Sequence, residues 1–305
     1  MRHRLPGAQD LRTGLIDPGQ GLDGTAVTED EFALDLDWKG RPIRCRECDH
    51  QAINAMGLCA KGTACIRDRR ARRVDRFLRG NPDLADQYLD HPYFEVRAGA
   101  ARYANLFRLP PLLEDPEPEV RAMATLRLPA DRIRVMLKDE EVDVRIAAAS
   151  RVTGPDLLTA IHDSAYMVRL TAVRRMPPEL LPLVRHDPDP EVRQWVARRI
   201  DLRALPDMAF DTDSGVRRQV AERLAPQDLV LLRGDSDLGV RFTVAERIVE
   251  EELGQLLDDP EEMIRDLARR RIAAVPSLAR MLEPAAPRLR LIETEDSPPD
   301  PESRQ

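Results

Sequence analysis

The chain has 305 residues, of which 33% are charged and only 4% aromatic, and its net charge at pH 7 is −7. No apolar stretch approaches the roughly 20 residues that cross a bilayer, so we expect no membrane span. Hydrophobic residues make up 42% of the chain, which is enough to build a core and excludes a wholly disordered protein. The opening residues lack the apolar segment of a secretory signal, so we expect a cytoplasmic protein whose cysteines bind metal rather than form disulfides.

Charge and composition divide the chain into four parts. Residues 1–43 form an N-terminal segment that we expect to be partly ordered. Residues 44–80 contain all four cysteines and carry ten basic against four acidic side chains, a balance of +6. Residues 81–283 are the longest part, in which 29 basic and 37 acidic side chains give −8. Residues 284–305 are polar and rich in proline, which predicts a disordered tail.

The four cysteines of the second part have a spacing suited to metal binding. They are Cys45, Cys48, Cys59 and Cys65, in the pattern C-x₂-C-x₁₀-C-x₅-C. Soft thiolate ligands select zinc or iron–sulfur clusters. Zinc modules usually separate the cysteines of each pair by two to four residues, whereas five residues separate the second pair here. A [4Fe–4S] cluster is larger than one ion and accepts wider spacing. The residues therefore favour a cluster and leave zinc as the alternative.

The number of ligands limits the chemistry of such a site. If all four cysteines bind a cubane cluster, every iron is saturated and no position remains open for a substrate. The remaining roles are electron transfer, redox or iron sensing, and structural support of the following repeats. His50, two residues after Cys48, is a candidate donor to the site or an alternative ligand. An ordinary surface histidine is the simpler interpretation.

A basic segment follows the last cysteine. Its seven arginines are Arg67, Arg69, Arg70, Arg72, Arg73, Arg76 and Arg79, and two more, Arg44 and Arg46, flank Cys45. A cluster with four thiolate ligands is an anion, which positive charge and N–H donors stabilise. We therefore expect the basic segment to offset the charge of the cluster. Contact with an acidic protein or a phosphate backbone is the alternative.

The third part is a repeat with a period of 24 residues and no insertion. A Val-Arg pair, replaced by Ile-Arg in the last copy, begins at Val96, Val120, Val144, Val168, Val192, Val216, Val240 and Ile264. Apolar or small residues follow four and eight positions after each of these, which is the spacing of one face of an α-helix. An Asp stands five positions before the pair in seven copies, and it predicts the start of that helix.

The second half of each repeat is too short for another full helix. Two apolar residues three positions apart mark it, from Leu109 and Leu112 in the first copy to Leu253 and Leu256 in the last. That spacing is typical of a 3₁₀-helix. Prolines in many of these segments remove donors that an α-helix or a central strand would need. Because so small a unit cannot bury a core alone, its neighbours must stack on it, which predicts an all-α solenoid.

Two arginines recur in each repeat. One belongs to the Val-Arg pair, and the other stands seven positions after the Val, as Arg127 and Arg151 do. We interpret both series as ion pairs between repeats, because strict recurrence suits a structural role better than a binding site. A groove for anions or nucleic acid is the alternative, and the net acidic charge of this part argues against nucleic acid.

The unit Asp-x₄-Val-Arg-x₂-Ala/Val, with a Leu in its second segment, resembles the repeat of the leucine-rich repeat variant (LRV) family over residues 81–283. The resemblance implies a right-handed superhelix of alternating α- and 3₁₀-helices. Some members carry an iron–sulfur module ahead of the repeats, which implies that the four cysteines bind a [4Fe–4S] cluster. Similar proteins occur in nitrogen-fixing bacteria, which implies a redox enzyme as the protein partner.

The sequence offers no nucleophile and base that its pattern brings together, so we expect a non-enzymatic protein. Our hypothesis is a protein-interaction scaffold whose cluster gives it a redox-responsive or electron-transfer role. One alternative is an electron-transfer partner of a redox enzyme. Another is a zinc-stabilised solenoid that binds nucleic acid through residues 67–79. For the favoured hypothesis we expect a protein partner, and neither nucleic acid nor a membrane.

Overall fold

The computed structural model describes residues 35–276 and residue 278. The expected disordered tail, residues 284–305, lies outside the described residues, as does most of the N-terminal segment. The chain divides between Met176 and Pro177 into two compact units. Among the helices of the described part, none is long and apolar enough to cross a membrane.

The first unit is built from α-helices joined by short 3₁₀-helices. Its described α-helices are α1 (Gln51–Ala55), α2 (Ala71–Gly80), α3 (Phe94–Tyr103), α4 (Pro118–Arg127), α5 (Val142–Ala149), α6 (Pro155–Ala160) and α7 (Tyr166–Val173). Its 3₁₀-helices are Cys45–Glu47, Pro82–Tyr88, Leu106–Arg108, Pro110–Glu114 and Arg134–Lys138. Isolated antiparallel bridges pair Leu36 with Pro42, Asp37 with Asp68, and Ala60 with Ala64.

The second unit alternates the two helix types in the same way. Its described α-helices are α8 (Pro190–Arg199), α9 (Ser214–Arg223), α10 (Leu238–Arg247) and α11 (Glu262–Ala273). Its 3₁₀-helices are Pro178–Val184, Leu205–Met208, Asp228–Leu232 and Glu250–Asp258. Within this unit, α8 packs on α9, α9 on α10, and α10 on α11. The predicted repeat of one α-helix and one 3₁₀-helix is therefore confirmed.

The apolar face of each repeat helix has the predicted register. The Val or Ile of the repeat pair is the third helical residue, as Val96 is in α3, and it is fully buried in all eight copies. The residues four and eight positions later, such as Ala100 and Ala104, are also buried in every copy. In the second half, the paired apolar residues three positions apart are buried from Leu109 onward. Each repeat thus contributes side chains from both of its segments to the core.

Two local expectations were wrong. The repeat Asp does not start the helix: Asp115 lies three residues before α4, and its carboxylate accepts the backbone N–H of Glu117 (2.9 Å), which closes a turn ahead of the helix. The residue two positions further on is the N-cap, as Asp213 is for α9. In addition, α6 is an α-helix where a 3₁₀-helix was expected. Gly154, at φ +58°, turns the chain directly into a helix that begins with Pro155.

The two arginine series make different contacts. The Val-Arg arginines pair with the Asp of the next repeat, as predicted; the pairs are Arg97–Asp115, Arg121–Asp139, Arg145–Asp163, Arg193–Asp211, Arg217–Asp235 and Arg241–Asp259. In the second series, Arg223 and Arg271 donate to backbone carbonyls at the end of the preceding repeat's helix. Ion pairing was therefore the wrong expectation for these arginines, because unpaired carbonyls at a helix C-terminus accept their N–H groups instead.

Helix α2 covers the helix of the first repeat. Its side chains Val74, Phe77 and Leu78 are fully buried, and it packs on α3. The two backbones approach closely at Gly99, where an added Cβ would lie 3.2 Å from Leu78 Cδ1 and 3.3 Å from Val74 Cγ1. Because α2 follows the last cysteine by only a few residues, the cysteine region lies against the N-terminal repeat.

Candidate metal centre

The first two cysteines lie on a tight turn. Cys45 begins the 3₁₀-helix Cys45–Glu47, and the backbone N–H of Cys48 donates to the carbonyl of Cys45 (3.3 Å). Both thiols are half-buried. A turn of this kind brings residues three apart onto one side, because a 3₁₀-helix has three residues per turn. The C-x₂-C spacing therefore presents two sulfurs together.

The other two cysteines flank a short closed loop and are buried. The loop is closed by the bridge between Ala60 and Ala64. At its tip Gly62 has φ +81°, and a Cβ there would lie 3.1 Å from the carboxylate of Asp35, so the loop requires glycine. Asn54 Nδ2 also donates to the carbonyl of Cys59 (2.6 Å). These contacts hold Cys59 and Cys65 in place.

The four thiols lie in one neighbourhood. Burial, with a smaller contribution from the nearby thiols of Cys65, Cys48 and Cys45, raises the pKa of Cys59 to about 12. Burial likewise raises the pKa of Cys65, which the backbone N–H of Arg67 partly opposes by donating to its sulfur. Within residues 35–276, no three His, Cys, Asp or Glu side chains are close enough to form a site for a metal ion. The influence of Cys45, Cys48 and Cys65 on Cys59 nevertheless places the four thiols near one another.

An aromatic group borders the cysteines on the side of the repeats. His50 Nε2 is hydrogen-bonded to the hydroxyl of Tyr88, and its ring centroid lies 5.2 Å from that of Phe77. Burial, with a smaller contribution from the neighbouring Cys48 thiol, raises the pKa of Tyr88 to about 12. Burial also lowers the pKa of His50. His50 is therefore partly enclosed against the first repeat, which corrects the simpler expectation of a surface histidine.

Tyr88 is a residue that the sequence did not single out. It ends the 3₁₀-helix Pro82–Tyr88, which belongs to the irregular first repeat, so no periodic signal marks it. Its position beside Cys48 follows only from the packing of that segment on the cysteine region. Tyr88 follows the last cysteine by 23 residues, and no known spacing at that distance predicts a contact between a tyrosine and a cysteine motif.

The basic segment is held by specific contacts. Arg73 Nη1 lies 2.8 Å from Asp68 and 2.7 Å from Asp35, and Asp68 is almost completely buried. Arg67 Nη1 donates to the carbonyl of Glu47 (3.3 Å), and Arg76 Nη1 donates to the carbonyl of Thr63 (3.0 Å). These arginines therefore bind the cysteine loops together, in addition to adding positive charge around the sulfurs.

The donor set fits an iron–sulfur cluster. Four soft thiolates are the ligands such clusters take, and N–H donation to a sulfur, here from Arg67 to Cys65, is how proteins tune them. Buried thiols with raised pKa values ionise when a bound cation compensates their charge. The residues that could hold the group are Cys45, Cys48, Cys59 and Cys65. Backbone turns, Asn54 and the arginines position them.

Known proteins resemble this region closely. Residues 35–87 match the family model described as "LRV protein FeS4 cluster". Over 80 residues the chain is 50% identical to an uncharacterized 27.7 kDa protein in the nifB 3′ region of Rhodobacter capsulatus. That alignment covers 26% of this chain and 33% of the relative, so the chain spans about a third of that protein's length.

A solved structure matches the repeats as well. It is described as "a leucine-rich repeat variant with a novel repetitive protein structural motif", and it is 37% identical to this chain with a TM-score of 0.70. The match covers 75% of this chain and 98% of the other. With its iron–sulfur module ahead of 24-residue repeats, the chain belongs to the leucine-rich repeat variant family.

Proposed function

We propose that this protein is a non-enzymatic scaffold that holds a [4Fe–4S] cluster through Cys45, Cys48, Cys59 and Cys65. The observation that carries the proposal is the gathering of these four thiols beside the first repeat, with an N–H donor on one sulfur. Four thiolates saturate a cubane and leave no iron for a substrate. When bound, the cluster supplies one-electron redox chemistry and no site for catalysis on a substrate.

The repeats supply the surface for a protein partner. Phe107 is 91% exposed, and with Leu106, Pro110 and Leu128 it lines an apolar groove of about 550 Å³ in the first unit. Solvent-exposed aromatic side chains of this kind are enriched where proteins bind one another. Six arginines of the repeat pairs are engaged in ion pairs with the next repeat, so they favour a structural role over an anion-binding one.

Electron transfer to a bound redox protein is the second candidate. It is favoured by the segment between Cys48 and Cys59, where Met56 and Leu58 are exposed next to a ligand cysteine. A saturated cluster is suited to such transfer, because its ligands do not change.

Anaerobic purification tests the proposal directly. We expect a brown protein with broad visible absorbance, and about four iron and four sulfide per chain. A colourless protein with one zinc per chain would reject the cluster and support a zinc-stabilised fold. Replacement of any one ligand, for example Cys59→Ala, should remove most of the iron, whereas the exposed Thr63→Ala in the same loop should not.

A further inference from the structure

Two apolar side chains project into solvent from the cysteine region. Met56 is 65% exposed and Leu58 is 47% exposed, on either side of Gly57. The backbone that carries them is fixed: the N–H of Leu58 donates to the carbonyl of Ile53 (3.2 Å), and Asn81 Nδ2 donates to the carbonyl of Leu58 (3.2 Å). The two side chains are thus presented by an anchored turn that leads directly into Cys59.

Two exposed arginines lie in the segments of the cysteine region that adjoin this turn in the chain. Arg46 is exposed, and its carbonyl accepts a hydrogen bond from Gln51 Nε2 (2.6 Å) at the start of α1, the helix that ends next to Met56. Arg76 is also exposed, and its guanidinium lies on the loop between the last two cysteines through its contact with Thr63. Since residues 44–80 carry +6, a cluster with a net charge of about −2 leaves the region positive.

We propose that Met56 and Leu58, together with the exposed Arg46 and Arg76 of the same region, form the docking surface for an acidic one-electron carrier protein. An apolar centre with a charged rim is the usual anatomy of a specific interface. Complementary charge speeds the encounter and orients the partners. The inference rests on the proposed function, because the carrier would exchange its electron with the proposed cluster. The reduced carrier loses one electron and the cluster gains it. No proton or ligand is exchanged.

The chemistry of the surface favours an acidic protein over nucleic acid. Proteins that bind single strands stack bases on aromatic rings, and the centre of this surface is a thioether and an aliphatic side chain. Methionine adapts its shape to a protein partner. The positive rim excludes basic carriers by like-charge repulsion.

The test is titration calorimetry with the anaerobically purified holoprotein. The probe is a plant-type [2Fe–2S] ferredoxin with an acidic surface, kept oxidised so that binding is measured without electron transfer. We expect binding at about 20 mM NaCl that weakens about tenfold at about 300 mM. The double variant Met56→Ser/Leu58→Ser should weaken binding about tenfold, and Arg76→Glu should weaken it and flatten the salt dependence.

Matched controls come from the repeats. Leu183→Ser removes an apolar side chain of the second unit that is as exposed as Met56, and Arg203→Glu reverses the charge of an exposed arginine there, so neither should change binding. Cytochrome c, which is basic, should not bind. The docking surface is overturned if the double variant behaves like Leu183→Ser, if cytochrome c binds equally well, or if these residues instead mediate self-association or binding of a DNA duplex.

Iron and sulfide are measured for every sample, which separates the two proposals. Protein without iron contradicts the proposed function. Protein with a full cluster whose ferredoxin binding ignores Met56, Leu58 and Arg76 contradicts only the docking surface.

Discussion

Arg121 and Asp139 belong to consecutive repeats and join them through a two-point ion pair. Arg121 Nε lies 2.9 Å from Oδ2 of Asp139, and Nη2 lies 2.8 Å from Oδ1. The same guanidinium donates through Nη1 to the carbonyl of Asp115 (3.0 Å), in the turn ahead of its own helix. Because the side chains are only 9% and 7% exposed, one arginine fixes both the turn of its repeat and the position of the next.

The first prediction concerns this pair. Asp139→Ala leaves the buried guanidinium of Arg121 without its carboxylate, and we expect the free energy of unfolding to fall by about 3 kcal/mol. Urea denaturation followed by circular dichroism measures the change. Asp131→Ala is the matched control, since Asp131 is 71% exposed, and it should stay within about 0.5 kcal/mol of the parent. Equal effects of the two substitutions would show that the ion pair contributes little.

The second prediction is a loss of stability in acid. Burial is the largest single influence and would raise the pKa of Asp139. The hydrogen bonds from Arg121 and from the Glu141 backbone, together with the charges of Arg121 and Arg145, outweigh it, so the pKa lies below its ordinary value. The pKa values of Asp115, Asp211 and Asp235 are lowered in the same way. A carboxylate with a lowered pKa stabilises the fold fully above its unfolded pKa, about 4. That stability is lost as the pH falls through the lower folded value.

Urea denaturation at a series of pH values tests this expectation. Stability should be nearly constant from about pH 7 to about pH 5 and should fall below about pH 4. Asp139→Asn, which cannot ionise, should show a shallower fall than the parent protein. An unchanged profile in this variant would mean that the acid sensitivity comes from other groups.

The third prediction concerns the second arginine series. Arg223 Nη1 donates to the carbonyl of Ala197 (2.6 Å) and Nη2 to that of Ile200 (2.8 Å), at the end of α8. Arg223→Ala leaves both carbonyls without this donor, and we expect a loss of about 3 kcal/mol; Arg223→Lys, which retains one donor group, should lose about half. Thermal unfolding measures both. The exposed Arg203→Ala should have almost no effect, and a similar loss there would contradict the role given to Arg223.

The fourth prediction separates ligands from neighbours in the metal centre. Cys65→Ala should abolish the visible absorbance and the bound iron, because a ligand sulfur is lost. His50→Ala should keep its iron content, because the imidazole is hydrogen-bonded to Tyr88. Iron and sulfide analysis of anaerobic samples measures both. Loss of iron from His50→Ala would instead favour the histidine as a ligand.

The repeat could be predicted because its pattern is local and occurs eight times. In each copy, the Val of the pair and the residue four positions later mark the buried face of a helix. The structure confirms this buried face in all copies from Val96 to Ile264. The helix start was misplaced because a carboxylate that closes a turn and one that caps a helix look alike in sequence. Asp115 closes a turn ahead of its helix. Asp213, which lies two positions after the repeat aspartate of its own copy, caps a helix.

The surroundings of the metal centre were less predictable. Spacing alone marked the four cysteines, since both pairs lie close in sequence. The contacts of Arg73 with Asp35 and of His50 with Tyr88 each join residues 38 positions apart. Such contacts depend on how separate segments pack, and they occur once in the chain, so no periodicity indicates them.

The position of helix α2 has a consequence for the resistance of the protein to proteolysis. Its first turn is tied to the last cysteine, whose N–H donates to the carbonyl of Arg73 (3.1 Å), while Phe77 and Leu78 shield the opening helix of the array. Loss of a bound metal would free the cysteine sulfurs and weaken the packing of α2 on the first repeat helix. The apolar side chains between them would then become accessible to proteases. If the cysteines hold the proposed cluster, loss of its iron should therefore make the first repeat more accessible to proteolysis than the repeats that follow it.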